Sequence, residues 1–356
     1  MAAQFLAEVA RTGAAALVAN APVVVSDVRV AGHLMPMTIL APATELEPSW
    51  VVSLRSAYGP YALHEVRTVP LRPVRPLLGG VVKAMDRSLV ASGLDRLVCV
   101  NNWLLSTNLY PEWEGDGIGE VTEALSQRFP AHFIAFRSLN ARHHPALLAR
   151  FRAAGWALLP ARQVWIVDPK TRPTHNRSID ARLLARTALV RASADTFGDA
   201  DWLRAADLYA QLYVRKYSSL NPVFTPGFLR WAHGSGFMRI EGLRDTGGTL
   251  LAVAGTIASH AVMTTPLVGY DLTLPRSLGL YRMAIALSFE DMERRRLSFN
   301  ISAGVGGFKR LRGALPTVEY TAVWHRHLPA TRRLALRILR AALARFAVPL
   351  MNVYDL

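Results

Sequence analysis

The run from Pro266 to Gly313 constrains this chain more than any other stretch. It reads PLVGYDLTLPRSLGLYRMAIALSFEDMERRRLSFNISAGVGGFKRLRG. Pro266–Leu272 predicts an apolar strand that ends in Tyr270-Asp271. Pro275–Gly279 is a tight loop. Leu280–Arg294 has the spacing of an amphipathic helix, with Ile285, Leu287, Phe289 and Met292 near its buried side. Leu297–Ile301 predicts a second strand, which opens into the glycine-rich loop Ser302–Gly307 and a short basic helix.

A strand, a turn of converging amides and a helix start make a natural anion site. The first amides of a helix have no internal acceptor, and the macrodipole adds partial positive charge there. Arg276, Ser277, Leu278 and Gly279 occupy this turn. The spacing alone is equally that of an ordinary strand-to-helix connection.

The run Arg276-x-x-Gly279-x-Tyr281 resembles the Q/R-x-x-G-x-G/A loop of the GNAT acyltransferases. The run Phe299-Asn300-Ile301-Ser302-Ala303-Gly304, with Phe308-Lys309 after it, resembles the end of the FemAB-like and BioF2-like branch of that superfamily. The resemblance implies an α/β fold of tandem GNAT-like (acyl-CoA N-acyltransferase) domains, each a mixed central sheet flanked by helices. It also implies that the loop holds the pyrophosphate of coenzyme A. The chain departs from the family at Tyr281, where the family has Gly or Ala, and a bulky ring there would crowd a pyrophosphate.

The same element order occurs earlier in the chain. Strand Leu94–Leu105, loop Ser106–Gly119, helix Ile118–Phe129, strand His132–Phe136, helix Pro145–Ala154 and strand Gln163–Val167 parallel the order around Pro266–Trp324, which indicates a duplicated α/β unit. Residues 1–168 then form a first half, with predicted strands at Val51–Leu54 and Tyr61–Val69, a proline-rich loop at Pro70–Pro76 and a helix at Leu77–Ser92. Residues 169–198 read as a linker, and 199–356 as a second, donor-binding half. In that half Asp199–Tyr217 predicts a helix with Leu203, Ala206, Leu208, Leu212 and Val214 on its apolar side. Pro226–His233 predicts another helix, and Phe237–Leu243 with Leu250–Ser259 a hairpin. Arg332–Phe346 predicts a basic amphipathic helix that either caps the second half or lies on a membrane or partner. The first half has no R/Q-x-x-G-x-G/A loop. Asn108-Leu109-Tyr110-Pro111 stands in its place, so that half is expected to be structural or to hold part of the acceptor.

Charge narrows the choice of partner. Lys and Arg number 41 against 26 Asp and Glu, a formal balance of +15. That suits tRNA, an acyl carrier protein, coenzyme A or an anionic surface, but it also suits a chain simply rich in Ala, Arg and Leu. No apolar run reaches the ~20 residues of a membrane span. Glu8 and Arg11 interrupt the N-terminal apolar stretch, which argues against a signal peptide, so the expected compartment is cytoplasmic. The lone Cys99 sits in an apolar run and excludes an internal disulfide.

Acyl transfer needs alignment of donor and amine, a proton acceptor and donors for the developing oxyanion. The resemblance implies that main-chain groups around Gly269 and Tyr270 hold the donor carbonyl, next to Arg276, Ser277, Leu278 and Gly279. Asp271 is a candidate general base or amine anchor, or a turn cap. Lys309 is a candidate phosphate or carboxylate ligand, or one more solvated cation. Tyr281 is a candidate for contact with the acyl donor. Tyr217, Asn221, Asn300 and Ser302 are candidates for the acceptor site. His143-His144 and His325-x-His327 lack Cys or acidic partners at ligand spacing, so no metal is expected. No G-x-S-x-G elbow or G-x-x-x-x-G-K-[ST] loop is present. The expected function is N-acyl transfer from acyl-CoA, or from the phosphopantetheine of an acyl carrier protein, to a small-molecule or peptide amine. The alternatives are FemAB-like aminoacyl transfer from tRNA, and a non-catalytic binding protein with a decayed site.

Overall fold

A computed structural model describes residues 1–40, 47–67 and 72–354. The chain begins with helix α1 (Ala2–Thr12), hairpin strands β1 (Val23–Val30) and β2 (His33–Leu40), and helices α2 (Leu54–Tyr58), α3 (Pro60–Val66) and α4 (Arg75–Ser92). Strand β3 (Leu97–Val100), helix α5 (Ile118–Arg128), strand β4 (Phe133–Asn140), helix α6 (Pro145–Ala153) and strand β5 (Ala157–Val167) follow. Helix α7 (His175–Arg186) and strand β6 (Val190–Ser193) lead to helices α8 (Asp199–Tyr209) and α9 (Pro226–Gly234), and to strands β7 (Arg239–Arg244), β8 (Leu250–Ser259) and β9 (Val262–Tyr270). The last elements are α10 (Leu280–Arg295), β10 (Ser298–Asn300), α11 (Gly306–Arg310), β11 (Leu315–Trp324), α12 (Ala330–Ala342) and α13 (Val348–Tyr354).

All the strands join one mixed sheet, in the order β1-β2-β3-β4-β11-β5-β10-β9-β8-β7-β6. The expected α/β class is the observed one. The order has a pseudo-two-fold centre between β11 and β5. On one side β3 pairs parallel with β4, and on the other β9 pairs parallel with β10. The final strand of each run crosses the centre: β11 lies against β4, and β5 lies against β10, both antiparallel. The two repeats therefore exchange their last strands, and the register of β5 with β11 locks the exchange from Ala157↔Val323 to Ile166↔Leu315. A buried core of Phe5, Trp103, Phe228 and Phe237 also draws on both ends of the sheet.

Several local expectations give way to tertiary structure. Residues expected as strands at Val51–Leu54 and Tyr61–Val69 are helical in α2 and α3. The Ser53 hydroxyl caps α2 by accepting from the Ser56 amide at 2.9 Å, and Pro60 supplies a first helical residue with its φ already set. Residues 68 and 69 of that expected strand, and residues 70 and 71 of the expected proline-rich loop, lie outside the described residues. The strand expected at Leu94–Leu105 keeps only four residues, because Asn101 (φ 54°) and Leu104 (φ 60°) turn the chain. The linker at 169–198 is structured. Within it α7 packs on α10 through buried Asp180 and Arg177, and β6 extends the sheet edge beside β7. Leu203, expected on an apolar face, is 62% exposed, and α8 ends at Tyr209 with a wider helical turn over Ala210–Tyr217. No helix among the described residues is long and apolar enough to cross a membrane.

Candidate functional site

Strands β9 and β10 are paired only at Val262–Thr264 and Ser298–Asn300. Beyond those residues they part, leaving a gap in the sheet. The Asn300 carboxamide accepts from the Ser302 amide at 2.9 Å, and Ser302 (φ 61°), Gly304 (φ 80°) and Val305 (φ 46°) bend the chain away from β9. Helix α11 then returns Lys309 to the turn. Its Nζ donates to the carbonyls of Ser302 (2.9 Å) and Ala303 (2.6 Å). Lys309 is 4% exposed, and burial, reinforced by the positive charge of Arg162, holds its pKa well below the usual lysine value.

Arg162 of β5 is the hub. It pairs with buried Glu319 at 2.8 Å and donates to Ser302 Oγ (3.1 Å), Thr107 Oγ1 (2.9 Å) and the Ser106 carbonyl (2.6 Å). Its guanidinium also lies over the Trp50 ring. Trp50, Ser106 and Thr107 come from the first repeat, while Ser302 and Glu319 come from the second, so the strand exchange is what assembles this cluster.

A wall of aromatic rings continues from the hub. Tyr209 stacks on Tyr213, and Tyr213 lies 6.2 Å from Tyr217. Tyr281 packs between Tyr270 (5.7 Å) and Phe308 (5.0 Å). Across from them α3 contributes Tyr61 and Glu65, which hydrogen-bond each other. Glu65 keeps an accessible face, yet the crowding protein raises its pKa above the ordinary carboxylate value, opposed by the Tyr61 hydrogen bond and the charge of Arg162. Arg162 thus acts electrostatically on both Glu65 and Lys309.

The loop expected to bind phosphate forms a 3-10 turn, Arg276–Leu278, ahead of α10. Arg276, Ser277 and Leu278 are exposed. Gly279 is buried with φ 70°, and a Cβ there would stand 2.7 Å from Leu183 of α7. The amides of Leu278 and Gly279 are bonded within the turn to Pro275 and Arg276. The amides of Leu280, Tyr281 and Arg282 meet no acceptor among the described residues. Asp180 bonds Arg282 and Arg312 behind this helix start.

The structure therefore brings Asn300, Ser302 and Lys309 into one turn, with Tyr270 and Tyr281 in contact on the ring wall and Tyr217 near Tyr281 and Glu65. Other candidates have structural partners. Asp271 pairs with Arg204 at 2.5 Å and accepts from the Thr273 amide and hydroxyl. Although burial opposes it, these contacts hold its pKa below the usual value. Gly269 lies under α8, where a Cβ would stand 2.5 Å from the Tyr209 amide nitrogen. Asn221 accepts from Trp50 Nε1 and donates to the Tyr213 carbonyl. Arg162, Glu319, Trp50, Tyr61, Tyr213 and Glu65 escaped sequence reasoning. β5 and β11 held a signal for Arg162 and Glu319, each the single charged residue of its strand.

The equivalent gap of the first repeat, between β3 and β4, is filled by the chain itself. Asn102 donates to Thr38 Oγ1 and the Val51 carbonyl, Asn101 to the Leu109 carbonyl, and Tyr110 to the Arg137 carbonyl. Buried Arg137 donates to the Val51 carbonyl at 2.8 Å. Cys99 is fully buried nearby, and burial pushes its thiol up to about 12. Among the described residues no three His, Cys, Asp or Glu side chains converge as a metal site would require.

No protein-family model matches the chain, and no curated protein matches it in sequence. Among solved structures it is similar to the C-terminal domain of a candidate lysylphosphatidylglycerol synthetase from Agrobacterium fabrum, with TM-score 0.48, 17% identity, and 70% of this chain and 82% of that one covered. It is also similar to FemX (TM-score 0.46, 7% identity, 63% and 79% covered). A third is a tandem GNAT protein from the clavulanic acid biosynthesis pathway (TM-score 0.39, 13% identity, 66% and 76% covered). Likenesses this distant carry no argument about activity, ligand or partner.

Proposed function

We propose that this chain is a transferase that moves an acyl group from an activated donor to an amine, in the gap between β9 and β10. The observation that carries this reading is Lys309. It is a buried amine held on two carbonyls and flanked by Arg162, with no carboxylate among its hydrogen-bond partners in the described residues, at a turn where the sheet opens. Burying an ammonium costs several kcal/mol unless something offsets it, and an anionic donor group would do so.

The chemistry is that of aligned aminolysis. The amine nitrogen attacks the acyl carbon, the bond to the leaving group breaks, and the amine gives up a proton. Glu65 is the proton acceptor in this reading, because its raised pKa brings it nearer to the amine's than a strongly ionised carboxylate would be. Asp271, already paired with Arg204, anchors the turn instead. The main-chain edge of β9 left open past Thr264 offers groups to the acyl carbonyl. Arg276 and the amides of Leu280–Arg282 face the outer, phosphate-bearing end of the donor.

The test is thiol release from a panel of acyl-CoA thioesters in the presence of simple amines. Amine-dependent release that falls at least tenfold in Lys309→Ala, with the melting temperature retained, supports the reading. The reading is abandoned if Lys309→Ala is as active as the unaltered protein.

A second reading keeps the cleft and takes aminoacyl-tRNA as donor. It is favoured by the +15 charge and by Tyr281 where a pyrophosphate loop carries Gly or Ala. Binding would then weaken steeply with salt. Absence of tRNA binding at low ionic strength argues for the thioester.

A further inference from the structure

A cavity of about 340 Å³ opens between the start of β5, the end of β11 and helix α12, lined by Gly155, Ala157, His325, Leu336 and the four arginines Arg326, Arg333, Arg337 and Arg340. Ala157 precedes Arg162 along β5 by roughly 17 Å of strand at ~3.3 Å per residue, so the cavity is separate from the cleft. We propose that it is a second ligand site, one that takes a phosphate-bearing anion such as a diphosphate or an organic phosphate ester.

The cavity is marked by its charge pattern. Arg137 and Arg332 are held by backbone carbonyls, and Arg55, Arg162, Arg177, Arg204, Arg244, Arg282 and Arg312, also half-buried or buried outside the cavity, each have a carboxylate partner. Among the described residues none of the four cavity arginines does. Guanidinium groups sharing one concavity repel, and the repulsion is relieved by an anion that accepts from several at once.

Two buried atoms inside the lining also lack partners among the described residues. Arg333 Nε has no acceptor there, and His325, 8% exposed, has no partner at Nδ1. Leaving a buried polar group unsatisfied costs about 1–3 kcal/mol, and a bound oxyanion meets both needs, since phosphate oxygens accept from Nε and from a histidine N–H. Arg326 is fixed in place: its guanidinium lies over the Trp324 ring and against Gly155, where a Cβ would come within 2.3 Å of it. Gly155 has φ 81°, so both its conformation and its lack of a side chain serve that seat. The volume exceeds that of one phosphate and matches the lower range of small-ligand sites, which leaves room for a second phosphate or a small organic group.

The test is thermal unfolding of the full chain at fixed ionic strength, with sodium pyrophosphate replacing sodium chloride. The unaltered protein should gain several degrees, and Arg29→Ala, at an exposed position on the edge strand β1, should gain as much. Arg337→Ala, at an exposed position that leaves the core alone, should need at least tenfold more pyrophosphate for the same gain, and Arg333→Ala with Arg340→Ala should lose it. A parallel arm uses sedimentation with phosphatidylglycerol and phosphatidylcholine vesicles. Pyrophosphate protection without vesicle binding assigns a soluble phosphate. Binding to phosphatidylglycerol vesicles alone, reduced in Arg337→Ala, assigns a lipid headgroup. Failure of both arms, or equal protection of Arg337→Ala and the unaltered protein, overturns the proposal.

Discussion

Arg162 and Glu319 stand directly opposite each other on β5 and β11, the two exchanged strands, and their side chains close a 2.8 Å ion pair at the centre of the sheet. Glu319 is 2% exposed. The pair does two things at once. It neutralises a carboxylate that the sheet has buried, and it holds the Arg162 fork where it reaches Ser302 and Thr107, one from each repeat. The cleft and the strand exchange are thus one structural event.

Glu319→Gln should therefore be costly. It leaves the Arg162 charge half-buried with only neutral acceptors. Removing one partner of a buried pair costs 3–5 kcal/mol in general, and the remaining carbonyl and hydroxyl acceptors reduce that to about 2–3 kcal/mol. Urea unfolding should show the loss as a lower midpoint with an unchanged slope. An unchanged midpoint would mean that the pair does not hold the exchanged strands.

Lys309→Met should separate stability from activity. The lysine's pKa is depressed in the folded state, so between its folded pKa and ~10.4 the unfolded chain binds more protons. The native protein's stability should accordingly climb as pH rises from that folded pKa toward ~9.5, before tyrosines begin to ionise, and Lys309→Met should flatten that climb. Activity should be lost in Lys309→Met at every pH. Parallel stability curves for the two proteins would remove the claim that Lys309 is strained by burial.

How much of this was legible beforehand depends on whether the signal was local. The run Pro266–Gly313 gave its strand, helix and turn nearly in place because hydrophobic period and glycine positions are local properties. So was the repeated element order, and the observed sheet repeats it as β3-α5-β4-α6-β5 and β9-α10-β10-α11-β11. The exchange of β5 and β11 was not legible, since strand order depends on pairings far apart in sequence. For the same reason Arg162 and Glu65 were missed: nothing near either residue says that Lys309 will lie by Arg162 or Tyr217 by Glu65. Tyr61–Val69 reads as a strand from its apolar and β-branched residues, while over Pro60–Val66 the helix is set by Pro60 and by packing of α3 on α2 and α4.

Glu65→Gln and Asp271→Asn should behave differently. If Glu65 takes the amine's proton, kcat/KM should rise with pH through its raised pKa, and Glu65→Gln should abolish that acid limb and lower the rate about 10²–10⁴-fold. Asp271 is ionised and paired across the same range, so Asp271→Asn should keep the acid limb and lower stability by about 1 kcal/mol through loss of the Arg204 pair. The opposite pattern, with the limb lost only in Asp271→Asn, would return the base to the turn.

Gly269→Ala probes whether this glycine serves ligand or packing. The added methyl would meet the backbone of Leu208 and Tyr209 at 2.5–2.9 Å, and backbone cannot swing aside as a side chain can. Helix α8 must lift from β9, at a cost of roughly 1–3 kcal/mol as for other overpacked sites. Thermal unfolding should show a clear drop. A stable Gly269→Ala protein with weakened donor binding would instead put this glycine in the ligand's path.

Acid should loosen the contact between the repeats. His143, in the turn before α6, hydrogen-bonds Ser298 of β10 through Nε2 at 2.8 Å, and burial together with the Arg142 charge lowers its pKa to about 4. His144 packs against Tyr110, and burial lowers it to about 3. Both are neutral when folded, while an unfolded histidine protonates near 6.5. As pH falls below ~6.5 the unfolded chain gains protons that the folded chain refuses, so stability declines until the folded groups titrate near 4 and 3. With partial exposure discounted, the loss attached to His143 should be on the order of 2 kcal/mol between pH 6.5 and 4. Replacing it as His143→Gln keeps a donor for Ser298 and removes the titration, so the variant should lose less stability than the parent over that window. Equal acid sensitivity in parent and variant would assign the loss to other groups and leave the His143–Ser298 bond as a pH-independent strut.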